Sequence, residues 1–341
     1  MQIINVLIHQ PVGLLRIQTD TELEGWCFGV GPDDGRKIQQ ELAGVLIDQN
    51  PIDRERLWLD LLRLDTGQDA VLRGYIDTAL WDLVAKAVGQ PVYRMTGGFR
   101  SRTPAYLVGG IHDDSESVVQ EALRAQRDGF LGYKITCLQS QDSLFGLIPE
   151  IRQRVGADFY LMLDGAGQND SAGAVQIGRV LDEADFYWYE EPLEDGNLSS
   201  CVLLAERIDT PVALRVRTPR DVSRILSVQA ADMVIAGTPF SGGITDLLKI
   251  GRAADAFGVF SLTASAGVSC GFAHAQLLGS MKNAPFFEAR QAGVVEATPF
   301  INNPLKVVDG YLEVPKSPGL GMDLNWDAID EKTEQIIEPS Q

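Results

Sequence analysis

The sequence has few basic residues and few histidines for its length of 341 residues. Lys and Arg number 29 against 47 Asp and Glu, and the formal net charge is −18. A nucleic-acid-binding surface needs a basic footprint, and anionic membranes also attract basic segments. The charge balance therefore argues against nucleic acid and against a membrane surface as partners. Three histidines occur, namely His9, His112 and His274.

Long apolar runs and paired cysteines are also missing. No stretch of 18 apolar residues occurs, and the first residues, MQIINVLIHQP, contain neither a basic segment nor a small-residue cleavage site. The cysteines are scattered without a CxxC pair, which is typical of free thiols in a reducing compartment. They are Cys27, Cys137, Cys201 and Cys270. We therefore expect a cytoplasmic protein.

The first part of the chain predicts a small α+β region. Residues 3–8 and 13–19 have the composition of strands, and only His9–Val12 separates them. A third strand follows, and the apolar periodicity of residues 35–64 and 70–88 predicts helices. So short a connection between the first two strands indicates a hairpin turn rather than a lid.

From about residue 104 onward, strands alternate with helices of 10–15 residues. This pattern predicts βα units around a parallel sheet. Counting a strand near 105–108, we find eight strands, the last at 285–288. The expected fold is therefore α/β, a (β/α)8-type TIM barrel with an α+β capping domain.

Two carboxylates end neighbouring strands of this predicted barrel. Asp164 ends one strand in LMLDGAG, and Glu190 ends the next in FYWYEEPL, 26 residues later. That spacing corresponds to one strand–helix unit, so both acids are expected at the C-terminal rim. Adjacent carboxylates suit a divalent cation with oxygen ligands. The alternative is a pair of solvated acids at strand ends.

Seven motifs together give the chain a family resemblance. They are ALWDLVAKAVGQPVYRMTGG, GYKIT, LMLDGAG, YEEPL, TPVAL, SGGITDLLKI and VPKSPGLGMDL. In this order they resemble the enolase superfamily, and most closely its mandelate racemase and muconate lactonizing enzyme subgroup. The resemblance implies a modified (β/α)7β barrel over 104–305, a cap over 1–103, and a C-terminal segment, 306–341, that returns to the cap. It also implies a homo-oligomer.

The resemblance implies a metal-assisted reaction of a small carboxylate. In the family, Mg²⁺ holds the substrate carboxylate while a base removes the α-proton. Carried over by motif, Asp164 and Glu190 are metal ligands, and Lys134 and Glu288 are catalytic. The third ligand position carries Val216, so we expect weak Mg²⁺ binding.

Three further positions depart from the family pattern. The second lysine of the usual pair is Thr136, and the dyad aspartate and histidine fall on Gly237 and Ala264. None of these side chains is a base at neutral pH. None of the three histidines is placed to replace the missing one.

Two arginines, Arg215 and Arg217, flank the lost ligand position. A guanidinium there could pair with the acids in place of the cation or bind a substrate carboxylate, and we expect one within hydrogen-bond distance of Asp164 or Glu190. The alternative is that both point to the helix layer or to solvent.

Two functional hypotheses follow. The first is a family member that has lost the metal-assisted proton abstraction and acts as a pseudoenzyme, or as a binding or oligomer partner. The alternative is an active lyase or isomerase (a dehydratase, racemase or cycloisomerase) with a rebuilt site, acting on a carboxylate or acid-sugar substrate.

Overall fold

The computed structural model describes residues 1–64, 70–112, 114–136, 141–194, 197–263, 268–290, 294–295 and 298–338. The N-terminal region begins with an antiparallel sheet and continues with helices. Its elements are β1 (Ile3–Gln10), β2 (Leu14–Thr19), β3 (Glu24–Phe28), α1 (Pro32–Lys37), a π-helical segment (Ile38–Leu42), α2 (Ala43–Leu46), α3 (Arg54–Leu64), α4 (Ala70–Ala87) and α5 (Val92–Thr96).

The cap sheet has the order β15–β1–β2–β3, in which β15 (Gln335–Ile337) comes from the C-terminal end of the described chain. The connection between β1 and β2 is a short turn, as the sequence predicts. It has three residues, one fewer than His9–Val12, and begins with a cis Gln10–Pro11 bond. Helix α4 is buried along almost its whole length, because one side covers this sheet and the other meets the barrel. Its apolar residues at i, i+3 and i+4 spacing explain the first of these two contacts.

The central region alternates parallel strands with helices, which confirms the predicted fold class. Its elements are β4 (Arg102–Val108), α6 (Ser115–Arg127), β5 (Gly132–Thr136), α7 (Gln141–Val155), β6 (Tyr160–Asp164), α8 (Ser171–Glu183), β7 (Trp188–Glu190), α9 (Leu198–Ala205), β8 (Val212–Arg215), α10 (Pro219–Leu226), β9 (Met233–Ala236), α11 (Ile244–Ala256), β10 (Phe260–Thr263), α12 (Val268–Ser280) and β11 (Phe287–Ala289).

Strands β4 to β10 pair in chain order, and β11 returns to pair with β4, so the strands form a barrel. Alternate residues of each strand face the interior or the helices. The interior cluster is aromatic and apolar, and consists of Tyr106, Met162, Trp188, Ala213, Met233, Ile235, Leu262 and Phe286. By the same alternation, Lys134, Asp164, Glu190 and Glu288 also face inward.

The remaining elements are β12 (Val294–Val295), β13 (Leu305–Val308), β14 (Tyr311–Glu313) and α13 (Trp326–Lys332). Strand β14 pairs antiparallel with the start of β4, with Leu312 opposite Thr103. The chain then passes through α13 to β15, which pairs with β1 of the cap. In the described part of the chain, no helix combines the length and the apolar character that a membrane crossing requires.

Cap and barrel meet where α4 crosses the start of α11. The buried Asp77 carboxylate accepts hydrogen bonds from the backbone N–H and the hydroxyl of Thr245, at 2.8 and 2.6 Å. The same hydroxyl accepts the indole N–H of Trp81 at 2.9 Å. Asp77 therefore supplies, from the cap, a partner for the Thr245 N–H, which has none within its own helix because it lies in the first turn of α11.

Candidate active site

Three carboxylates converge at the C-terminal ends of β6 and β7. Asp164 and Glu190 are partners in the parallel register of these strands, as the 26-residue spacing predicts. Glu191 follows directly, and one oxygen from each of the three acids lies within 4.8 Å of the others. Glu191 has a φ of +40°, outside strand geometry, so the alternation of β7 does not apply to it. Glu191 was not among the site residues predicted from the sequence, although the Glu-Glu doublet stands there.

Lys134 joins this carboxylate cluster to the last barrel strand. Its Nζ donates to Glu190 Oε2 at 2.7 Å and to Glu288 Oε2 at 2.9 Å, and the side chain is only 4% exposed. Burial alone would lower the pKa of Lys134, but the charges of Glu288 and Glu190 raise it well above its usual value. Lys134 is therefore an ammonium group at neutral pH and is not a base.

Glu288 is held from the other side by a phenol. Tyr106 on β4 donates its hydroxyl to Glu288 Oε2 at 2.8 Å, and both residues are buried. Burial and the charge of Glu288 raise the pKa of Tyr106 well above its usual value, so the phenol stays protonated and remains a donor. One oxygen of Glu288 thus accepts from both Tyr106 and Lys134, and the other lies 3.8 Å from Arg290 Nη2.

The acids at the rim have too little positive charge around them. Burial raises the pKa of Glu190 to about 7, and the neighbouring Asp164 adds to this, although Lys134 acts in the opposite direction. Burial also raises the pKa of Asp164, against the effect of Lys134 and of the hydrogen bond from the Ala166 N–H. A carboxylate cluster of this kind favours a cation. Three carboxylates with oxygens this close therefore fit Mg²⁺, whose preferred ligands are oxygens.

The two arginines differ in where they lie. The Arg215 guanidinium donates to Glu191 in three contacts of 2.7 to 3.1 Å, and its Nη2 lies 3.9 Å from Glu190 Oε1. The prediction that Arg215 or Arg217 hydrogen-bonds Asp164 or Glu190 is therefore wrong. Arg215 hydrogen-bonds Glu191 instead, because that acid lies nearer. Arg217 is exposed, and its backbone N–H donates to Asp221. Among the described residues, no ion pair joins the Arg217 side chain to the site.

The positions that depart from the family pattern lie beside this cluster without contributing a charge. Val216 is buried with the helix-facing residues of β8, and its carbonyl accepts the hydroxyl of Ser241. Thr136 donates its hydroxyl to the Gly109 carbonyl at 3.2 Å. The backbone N–H of Gly237 donates to the Ser241 hydroxyl at 3.4 Å. Ala264 and Cys137 lie outside the described residues.

The three histidines make their contacts with other groups. His274 is fully buried in α12, its Nε2 accepts the backbone N–H of Thr238 at 3.2 Å, and burial lowers its pKa to about 4. His112 pairs with Glu121 at 2.7 Å. His9 lies between Arg16 and Thr333 in the cap. None of these contacts brings an imidazole to the carboxylate cluster.

Similar known proteins include a magnesium complex and enzymes named for sugar acids. The crystal structure of a mandelate racemase/muconate lactonizing enzyme from a marine actinobacterium, in complex with magnesium, superposes with a TM-score of 0.85. It is 26% identical and covers 98% of this chain and 99% of its own. Arabinonate dehydratase of Saccharolobus solfataricus is 27% identical over 72% of this chain and 68% of its own length. D-galactarolactone cycloisomerase of Agrobacterium fabrum is 26% identical over 93% and 90%.

Family models account for most of the chain. The model described as the mandelate racemase/muconate lactonizing enzyme N-terminal domain matches residues 4–97, and the model described as enolase C-terminal domain-like matches residues 117–328. The second match alone spans more than half of the sequence. The chain therefore belongs to the enolase superfamily, in its mandelate racemase/muconate lactonizing enzyme group.

Proposed function

We propose that this protein is a lyase or isomerase that acts on a small carboxylate of the sugar-acid class, with a divalent cation held by Asp164, Glu190 and Glu191. The observation that supports it best is Lys134, which is buried and charged between Glu190 and Glu288 beside three converging carboxylates. The names of the dehydratase and cycloisomerase relatives point to the same substrate class. The pseudoenzyme hypothesis gains no comparable support from the relatives.

The charged residues of the site would have separate roles in the reaction. A divalent cation at the three carboxylates would stabilise negative charge on a substrate carboxylate. Lys134 stays protonated, so it offers hydrogen bonds and a proton but does not accept one. Arg215 pairs with Glu191, and Tyr106 and Lys134 fix the orientation of Glu288. Orientation of this kind is needed for electrostatic stabilisation of a developing charge.

A second candidate function is the binding of a carboxylate without turnover. Thr136, Val216 and Gly237 stand where the resemblance places a base, a metal ligand and a dyad aspartate. Binding needs only the charged groups that remain, whereas proton abstraction also needs a base. The absence of the usual base at Thr136 and Gly237 favours binding without turnover. An experiment that measures proton exchange distinguishes the two candidates.

The test follows α-proton exchange in deuterated water by proton NMR, with Mg²⁺ and a panel of aldonic and aldaric acids. We expect exchange or dehydration of at least one acid, and a loss of roughly 10²–10⁴-fold in Lys134→Met, as for removal of a proton-transfer group. The matched control is Lys306→Met, at an exposed position on β13. Saturable binding of an acid with neither exchange nor product would replace the first candidate with the second.

A further inference from the structure

A cavity of about 670 Å³, separate from the carboxylate cluster, lies where the first turn of α3 faces α11, between cap and barrel. None of its lining residues belongs to the carboxylate cluster. Its acids are Asp53 and Glu55, and they are outnumbered by basic residues, which are Arg54, Arg56, Lys249 and Arg252. A local excess of positive charge is unusual in a chain whose net charge is −18.

Both acids in this cavity already have basic partners. Arg56 pairs with Asp53 at 3.3 Å, and also reaches Gln49 at 3.0 Å. Lys249 forms an ion pair with Glu55 and lies over the ring of Trp58. The two remaining cations are Arg54 and Arg252. Their positive charge is thus left without a matching acid among the described residues of the cavity.

Arg54 has donors that nothing in the described chain satisfies. Its guanidinium carbon lies 3.6 Å from the centroid of the Trp81 ring, in a stacked cation–π contact. Its Nε and Nη1 are inaccessible to solvent and have no hydrogen-bond partner among the described residues. Burial also lowers the pKa of Arg54. A buried charged donor without an acceptor is costly. Nη2 is not among these covered atoms, so it is the part of the guanidinium that a ligand in the cavity can reach.

The groups around Arg54 are held in place, so the site is built before any ligand arrives. Trp81 is fixed by its indole N–H on Thr245, and the hydroxyl of Thr245 donates to Asp77. Asp77 is engaged by Thr245 through both carboxylate oxygens and makes no hydrogen bond to Arg54, although its charge partly opposes the effect of burial on the pKa of Arg54. A guanidinium on a fixed aromatic platform can therefore offer its open Nη2 to an oxyanion without rearrangement.

We propose that this cavity binds a small oxyanion, a carboxylate or a phosphate group, with Arg54 as the main contact and Arg252 as the second. The volume is within the range of small-molecule sites. The first turn of α3 lines the same cavity, and a helix N-terminus favours a negative charge. This site goes beyond the proposed function, because it shares no residue with the carboxylate cluster.

The test is calorimetric titration of the whole protein with sodium phosphate and, separately, with sodium succinate, at constant ionic strength set with sodium chloride. We expect one anion per chain for at least one of the two, and the comparison distinguishes the phosphate source from the carboxylate source. Arg54→Met keeps apolar contact with Trp81 and should raise Kd by about 10-fold or more, the loss expected for hydrogen bonds to a charged group.

The exposed Arg252→Met should weaken the same binding less, and serves as a second variant if Arg54→Met fails to fold. Arg63→Met, on the same helix but outside the cavity, should leave Kd unchanged, as should Asp164→Asn at the barrel mouth. The proposal is overturned if neither anion saturates the wild-type protein at millimolar concentration, or if Arg54→Met and Arg252→Met both bind like wild type. Dissociation of an oligomer by Arg54→Met, seen by light scattering, without anion binding by the wild type would also overturn it, in favour of a second copy covering this face.

Discussion

Arg215 holds Glu191 through both carboxylate oxygens, with its Nη2 at 2.7 Å from Glu191 Oε2. Glu191 is also the acid that completes a three-carboxylate set with Asp164 and Glu190. A guanidinium and a divalent cation therefore compete for the same oxygens. The charge of Arg215 does not satisfy the other two acids, because their pKa values remain raised by burial. The arginine thus occupies one ligand of the cluster and leaves the remaining two short of positive charge.

Replacing Arg215 with methionine should strengthen Mg²⁺ binding. The substitution removes the competing cation from Glu191 while the side chain keeps most of its volume. We expect Kd for Mg²⁺ to fall by roughly 10-fold or more, a change of about 1.4 kcal/mol. Calorimetric titration of chelator-treated protein measures it, with Arg217→Met as the control. Weaker binding in Arg215→Met would mean that the arginine orders Glu191 for the metal instead of competing with it.

The sequence predicted Asp164 and Glu190 as neighbours because one strand–helix unit separates them and parallel strands keep their register. Glu191 was not predictable in the same way. Strand alternation would point the Glu191 side chain to the other face of the sheet from Glu190. The left-handed backbone at Glu191 brings its carboxylate back to the cluster. The partner of Arg215 was missed for a related reason. A long flexible side chain pairs with whichever acid lies nearest, and that acid was Glu191.

For the barrel and the cap, the sequence pattern predicted the type of each element but not the local details of the helices. Alternating strands and helices predicted the eight barrel strands, since short apolar strands and longer helices follow one another regularly along the sequence. Residues 35–64 predicted helix, but the structure has three helices and a π-helical segment at Ile38–Leu42. Apolar periodicity does not distinguish a π-helical turn, with hydrogen bonds from i to i+5, from an α-helical one. The cavity beside Arg54 also had no signal in the sequence, because α3 and α11 are distant in the chain.

Replacing Lys134 with methionine should destabilise the fold by about 3–5 kcal/mol, because Glu190 and Glu288 would lose their shared buried cation. Urea denaturation at pH 8 measures it, with Lys306→Met as the control. The raised pKa of Lys134 means that its contribution is complete below the unfolded-state pKa and is lost only as the pH rises through the higher folded-state value. The difference between wild type and Lys134→Met should therefore not shrink from pH 7 to pH 9 through titration of the lysine. A loss below 1 kcal/mol would contradict a buried pair.

Replacing Tyr106 with phenylalanine should destabilise the protein by about 1.5–3 kcal/mol, the range for a hydrogen bond to a charged group. The substitution removes one of the two donors to Glu288 Oε2 and leaves Lys134 in place. Denaturation of Tyr106→Phe measures the loss. Tyr160→Phe is the control, because Tyr160 is 43% exposed. Equal stabilities of the two variants would show that the Tyr106 hydroxyl contributes nothing to holding Glu288.

Asp77 should make the stability of the protein depend on pH. Burial raises the pKa of its carboxyl to about 7, the charge of Asp246 acts in the same direction, and the hydrogen bonds from Thr245 and the charge of Arg54 oppose it. An acid whose pKa is higher in the folded than in the unfolded state binds its proton more tightly when folded. Its contribution is therefore complete below the unfolded-state pKa and is lost as the pH rises to about 7.

Asp77→Asn removes this titration and keeps a side chain of the same shape, which can accept the backbone N–H of Thr245 and donate to its hydroxyl. At pH 4 the two proteins should have similar free energies of unfolding. At pH 8 the variant should be the more stable, by at most roughly 4 kcal/mol for a shift of this size. Urea denaturation at several pH values between these limits measures the difference. Parallel pH profiles for wild type and Asp77→Asn would show that Asp77 is ionised throughout, held as an anion by the N-terminus of α11.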